Sequence, residues 1–203
     1  MSAQTVLRKG KNMDLKGSET EKNLLKAALG ESLARNKYTF FAGVAKKEGY
    51  EQIAAIFLET ADNEKEHAKV YYKHLPNDGS HIEITAKYCD GLGTTLQNLE
   101  YAFLGENEEN TTLYPGFAQV AKDEGFIQVY DTFMQVTEVE KHHEARYRKL
   151  QENIIQKAVF KKETEVDWKC RNCGRVINGM EAPEVCPTCH HPRAYFELLC
   201  DNF

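Results

Sequence analysis

Apolar residues in the first quarter of the chain fall three and four apart, the spacing of one helical face: Leu24, Leu25, Ala28 and Leu29. Ser18 followed by Glu21 is a capping box that opens this helix. Lys46, Lys47 and Gly49 close it with favourable charge and a left-handed stop. A second helix is predicted from about Tyr50 to His74, ended by Pro76-Asn77-Asp78-Gly79. The stretch from Ser80 to Gly93 is too long for a tight turn and predicts a crossover. A third helix starts near Thr94 or Thr95, and a fourth runs from about Phe126 to Ala158. Pro115 falls inside the third and cannot donate to the carbonyl of Thr111, so a kink or break is expected there. Both a bend without function and a role in shaping a site remain open for it. Lys161 to Asp167 is charged and reads as a linker to a small C-terminal domain. The pattern predicts an all-α four-helix bundle with one long crossover, followed by that small domain.

The bundle is internally repeated. Tyr38 to Gly49 reads YTFFAGVAKKEG, and Tyr114 to Gly125 reads YPGFAQVAKDEG. Fifteen residues beyond each glycine stand Glu64 and Glu140, followed by His67 and His143, with Tyr72 and Tyr147 near the helix ends. These are duplicated helical hairpins. Positions i and i+3 share a helical face, so each Glu-x-x-His pair offers a carboxylate and an imidazole to one point. Two such pairs, with a Glu from each of two other helices, are the recipe for a carboxylate di-metal site in a four-helix bundle. Glu31 supplies one, and Glu106 and Glu109 are available for the other. The same glutamates buried without metal would repel one another. The repeat offset places Asn107 opposite Glu31, so the second half carries its carboxylates on either side of the expected position and offers one ligand more. His142, beside His143, has no counterpart in the first pair and is expected at the surface. Tyr38 lies two turns beyond Glu31 on the same face, and Tyr114 is its repeat mate. Each suits a hydrogen bond to a ligand carboxylate or plain core packing.

A second metal signal stands at the other end. Cys170-Arg171-Asn172-Cys173-Gly174 and Cys186-Pro187-Thr188-Cys189 are two Cys-x-x-Cys knuckles, whose four thiolates suit one tetrahedral ion. The Gly after the first and the Pro inside the second suit tight turns whose amides point at sulfur. Iron and zinc both accept four thiolates.

Together the two signals resemble the rubrerythrins. The resemblance is carried by Lys16-Gly17-Ser18-Glu19-Thr20-Glu21-Lys22-Asn23, by Gly30 to Asn36, by Glu59 to Asp62 leading into Glu64 and His67, by Trp168 to Gly174, by Ala182 to Pro187 and by Phe196 to Leu199. It runs from about Leu15 to the C-terminus. It implies an N-terminal extension over 1–15, a ferritin-like di-iron bundle over 16–160, a linker over 161–167 and a rubredoxin-like domain over 168–203. It implies iron on Glu31, Glu64, His67, Glu106, Glu109, Glu140 and His143, with Glu64 and Glu140 bridging, and one iron, or substituting zinc, on Cys170, Cys173, Cys186 and Cys189. Five glutamates with two ferrous ions, or with two ferric ions and an oxo bridge, give the same formal charge, so the centre can change oxidation state with little electrostatic reorganisation. One iron is expected to exchange His67 for Glu109 between oxidation states. The implied activity is reduction of hydrogen peroxide in oxidative-stress defence, with electrons from an NAD(P)H-dependent reductase or rubredoxin passing through the thiolate iron. Trp168, Tyr195 and Phe196 could shield that iron. The implied assembly is a head-to-tail homodimer. An iron-oxidising or iron-storing ferritin relative, a non-catalytic redox sensor and a zinc-ribbon scaffold are the competing readings.

Composition adds exclusions. At 203 residues the chain holds one medium and one small domain. A net charge of −5 argues against nucleic acid as the main partner. No stretch approaches the apolar length of a membrane span, and the N-terminus lacks the apolar core of a signal peptide. A reducing cytoplasm is the expected location, where Cys89 and Cys200 would be ordinary thiols.

Overall fold

A computed structural model describes residues 14–201. All but Asp14 and Leu15 of the expected N-terminal extension lie outside them. Helix α1 spans Glu19–Lys47, α2 Glu51–His74, α3 Thr95–Glu108, α4 Tyr114–Asp123 and α5 Ile127–Ile155. Ser18 caps α1 by accepting from the Glu21 amide, and the Glu21 carboxylate reaches back to the amide of Gly17 at 2.7 Å. Thr94 and Gln97 form a full capping box at α3. Gly49 and Gly125 both sit at φ +85°, where a side chain would be strained, and end the first helix of each hairpin. The crossover, 80–94, has no regular secondary structure.

Pro115 does not break the third helix. A π turn, Glu109–Leu113, joins α3 to α4 directly ahead of it, and the amide of Tyr114 bonds the Glu109 carbonyl five residues back. Glu31 and Tyr38 are seven residues apart, Glu106 and Tyr114 eight. The π turn absorbs that extra residue, so α3, the π turn and α4 act as one continuous third bundle helix.

Two apolar layers sandwich a polar one. Phe41, Phe57, Leu99 and Tyr147 pack on one side, and Leu24, Tyr71, Tyr114 and Phe133 on the other. Each such side chain stabilises by about 1.5–3 kcal/mol, which offsets the cost of the carboxylates buried between them. Leu29, placed on the apolar stripe by its spacing, is instead 39% exposed. The repeat mate of Tyr147 is Tyr71, not Tyr72: Tyr71 and Tyr147 are both fully buried, whereas Tyr72 is 40% exposed.

The C-terminal domain is a three-stranded antiparallel sheet of order β2-β1-β3, with β1 Lys161–Cys170, β2 Val176–Glu181 and β3 Phe196–Leu198. The stretch 161–167, expected as a linker, is therefore the first part of β1. Lys161 pairs with Glu181 and Val166 with Gly179, with an irregular register between them. Its side chains are mostly exposed until Trp168, so no apolar alternation marks it as a strand. Trp168, Ala182 and Phe196 form the small core, and the Trp168 indole donates to the Gly179 carbonyl at 3.0 Å. Tyr50 stacks on Phe160 with ring centroids 6.2 Å apart, tying this domain to the bundle. Among the described residues no helix is long and apolar enough to cross a membrane.

Candidate metal centres

Four helices deliver six of the seven expected bundle ligands to two overlapping groups. One group is Glu31, Glu64, His67 and Glu140; the other is Glu64, Glu106, Glu140 and His143. The ligand atoms within each lie within 4.8 Å of one another. Glu64 and Glu140 belong to both and split their oxygens. Glu64 Oε2 is 2.8 Å from His67 Nδ1, and Glu64 Oε1 is 3.2 Å from His143 Nδ1. Glu140 Oε1 is 3.0 Å from His67 Nδ1, and Glu140 Oε2 is 2.8 Å from His143 Nδ1. Glu31 and Glu106 each approach one histidine, at 3.9 and 3.7 Å. His142 is exposed, as its lack of a repeat mate implies.

This layer suits metal and little else. Both oxygens of Glu64 and Glu140, Oε2 of Glu31 and Glu106, and Nδ1 of both histidines are buried with no hydrogen-bond partner outside this cluster of carboxylates and imidazoles. Buried polar atoms in such number are costly unless an ion satisfies them. The ionisation pattern of the metal-free protein agrees. Burial pushes the Glu31 and Glu106 carboxyls well above their usual range, reinforced by the neighbouring glutamates. Burial works against protonation of His67 and His143, but the surrounding carboxylates outweigh it and carry them up to about 10 and about 12. For Glu140, burial is outweighed by the two histidines, which bring it down to about 2. Two imidazolium protons thus stand where two cations would.

The tyrosines cross the pseudo-twofold. Tyr114 donates to Glu31 Oε1 at 2.5 Å, and Tyr38 donates to Glu106 Oε1. Burial, then the adjoining carboxylates, push both phenols well above their usual range, so they stay donors. Tyr71 and Tyr147, absent from the predicted site, pack against Tyr114 and Tyr38 at 5.7 and 5.4 Å between centroids. Applying the repeat offset to Tyr147 would have found Tyr71.

Glu109 is the one expected ligand that neither group contains. It sits in the π turn, half-buried, on the wall of a cavity of about 120 Å³ that Gly30, Tyr38, Tyr88 and Tyr114 also line. A Cβ on Gly30 would lie 4.0 Å from Glu109 Oε1. Burial, then Glu106, raises the Glu109 carboxyl well above its usual range.

At the other end Cys170, Cys173, Cys186 and Cys189 converge with their sulfurs within 4.8 Å. Cys170 and Cys189 are 3.7 Å apart and Cys173 and Cys186 3.6 Å, and none is disulfide-bonded. A tetrahedron with bonds of about 2.3 Å has edges of roughly 3.8 Å, so the four sulfurs already have the spacing of a metal cage. Amides point at the sulfurs as the knuckle turns require: that of His191 draws the Cys189 thiol down to about 6. The amide of Arg175 does the same for Cys173, but burial and the facing thiols prevail and push it up to about 12. Cys89 and Cys200 stand outside the cage and are exposed.

The fold and these two centres define the class: a ferritin-like bundle with a carboxylate and histidine di-metal site, joined to a four-cysteine metal-binding domain. The comparisons give the family. The profile described as Rubrerythrin matches residues 22–151, and that described as Rubrerythrin, rubredoxin-like domain matches 168–197. The rubrerythrin of Porphyromonas gingivalis is 52% identical over 193 residues, covering 95% of this chain and 96% of that protein. The rubrerythrin of Nitratidesulfovibrio vulgaris is 47% identical, covering 93% and 98%. Fully reduced, all-ferrous nigerythrin superposes with a TM-score of 0.60 at 28% identity, covering 98% of this chain and 100% of that one. This chain belongs to the rubrerythrin family, with a di-iron site of carboxylate and histidine ligands and a rubredoxin-like four-cysteine iron site.

Proposed function

We propose that this oxidoreductase is a peroxidase that reduces hydrogen peroxide to water, with electrons entering through the four-cysteine site from an NAD(P)H-dependent reductase or rubredoxin. Glu31, Glu64, His67, Glu106, Glu140 and His143 would hold two ferrous ions, which would supply two electrons and Lewis acidity, and the four cysteines would hold the iron that relays single electrons. The observation that carries the reading is the pairing in one chain of two ligand groups that share Glu64 and Glu140 with a preassembled thiolate cage. An iron-storing relative has no need of the cage.

The chain's own residues support the chemistry. Glu109 lines the cavity with a carboxyl that burial holds protonated, and the role we assign it is to give a proton to a small oxygen species or to exchange with His67 as a ligand. Tyr38 and Tyr114 fix the orientation of Glu106 and Glu31 through their hydroxyls. The apolar layers keep bulk water from the centre. Lys26, Lys37 and Lys87 line the same cavity against Glu108 and Glu109, a balance that does not favour a diffusing ferrous cation as substrate. We place the protein in a reducing cytoplasm as a head-to-tail homodimer.

The test compares substrates. Iron-reconstituted protein should hold one ion for each of its three ligand groups. With NADH and a reductase it should consume hydrogen peroxide catalytically. Accumulation of iron well beyond that stoichiometry on aerobic addition of ferrous salt, without peroxide turnover, would replace this reading with storage.

A further inference from the structure

The π turn is gripped by side chains that are not ligands. Glu144 follows His143 on α5 and is largely buried, its side chain 15% exposed. Its carboxylate accepts from Asn110 Nδ2 at 2.7 Å, from Asn107 Nδ2 at 3.1 and 3.2 Å, and from Arg148 Nε at 2.7 Å. Asn110, buried within the π turn, also donates to the backbone carbonyl of Glu106 at 2.7 Å. Glu106 is therefore held at its backbone by Asn110 and at its carboxylate by Tyr38. Glu109, three residues on, has neither anchor from this network.

A π turn is uncommon, and the helix would relax to the regular four-residue ladder without something to hold it. Relaxation would rotate α3 against α4 by one residue. The Tyr114–Glu31 bond on one side and the Tyr38–Glu106 bond on the other could not then both be kept. We propose that Asn110 and Glu144 form a clamp on the π turn that keeps the Glu106 carboxylate in register with His143. They are positioning residues for the metal ion on Glu64, Glu106, Glu140 and His143. Arg148, 47% exposed, only trims the outer edge of the network.

The test is metal binding, read by spectrum. The full chain, stripped by chelation and titrated anaerobically with cobalt(II), reports each ion's ligand set through its visible bands. Glu106→Ala identifies which ion belongs to the clamped group. Asn110→Ala and Glu144→Ala should weaken that same ion by about 10–100-fold and alter its bands, the usual effect of losing a partner that orients a ligand. Glu144→Gln keeps an acceptor for Asn110 and should restore parental binding, and Arg148→Ala should bind as the parent does. Should Asn110→Ala fail to fold, Glu144→Ala decides. Parental affinities and spectra in the alanine variants overturn the proposal. So does equal loss in Glu144→Gln and Arg148→Ala, which would mark a generic destabilisation.

Discussion

Glu64 turns one oxygen toward each histidine, and Glu140 does the same in reverse, so the metal-free centre is a ring of alternating acceptors and protons. Its pH response follows. His67 and His143, raised to about 10 and about 12, are held charged by the fold. In the unfolded chain they titrate near ~6.5. Their contribution is complete below that pH and is lost as pH rises toward the folded values. Glu31 and Glu106, raised, retain protons that the unfolded chain releases above ~4.5, and the sign is the same. The melting temperature of metal-free protein should therefore fall between about pH 6.5 and 10, while bound ions, which replace these protons, should flatten the dependence. Circular dichroism melts of both forms check this, and a metal-free melting temperature that is flat or rising over that window would contradict it. The tyrosines give a second prediction at this scale. Tyr114→Phe leaves Glu31 Oε1, and Tyr38→Phe leaves Glu106 Oε1, buried without a donor. Each should weaken metal binding about tenfold, measured by anaerobic titration, whereas Tyr72→Phe, on an exposed residue, should not.

The third bundle helix shows what spacing can reveal and where it stops. The Glu-x-x-His pairs, Glu31 and the two tyrosine positions were legible because a helix repeats on one face and the two halves share an offset. That each tyrosine crosses to the other half's carboxylate was not, since Tyr38 shares a face with Glu31 and yet bonds Glu106. The π turn was half legible: one residue more between Glu106 and Tyr114 than between Glu31 and Tyr38 required an insertion, but a kink at Pro115 was the simpler expectation. Whether a helix absorbs an insertion by breaking or by widening depends on the side chains that meet it from a neighbour, here Glu144 from α5. Tyr71 was missed because Tyr72 sits beside it, and only burial tells them apart. The strand over 161–167 was missed because charged side chains on both faces leave backbone pairing without an apolar signature. The element-scale prediction concerns Glu109. Since both ligand groups form without it, Glu109→Ala should still take up two ions in the bundle. Peroxide turnover should fall by about a hundredfold or more, the range for loss of a positioned proton donor. Anaerobic ferrous titration and peroxide consumption read the two properties separately, and equal loss of both would mean that Glu109 is an ordinary structural ligand.

At the scale of the molecule, two metal-binding units with separate cores share one chain. The bundle packs around Phe41, Phe57, Leu24 and Phe133, and the C-terminal sheet around Trp168 and Phe196. Neither core lends a ligand to the other's site. Replacing Cys170 and Cys173 by Ser should therefore abolish the thiolate iron, because hard hydroxyl ligands hold it poorly, while the bundle keeps its fold and its two ions. The variant separates chemistry from electron delivery. Once chemically reduced, it should react with a single charge of hydrogen peroxide as fast as the parent, followed by stopped-flow absorbance. Steady NADH oxidation through a reductase should nearly vanish, because the entry point for single electrons is gone. The stacking of Tyr50 on Phe160 joins the two units through residues outside both sites, so loss of the thiolate iron should leave the bundle's melting transition in place. If NADH-driven turnover survives intact, electrons reach the bundle by another route, and the four cysteines serve a structural ion instead.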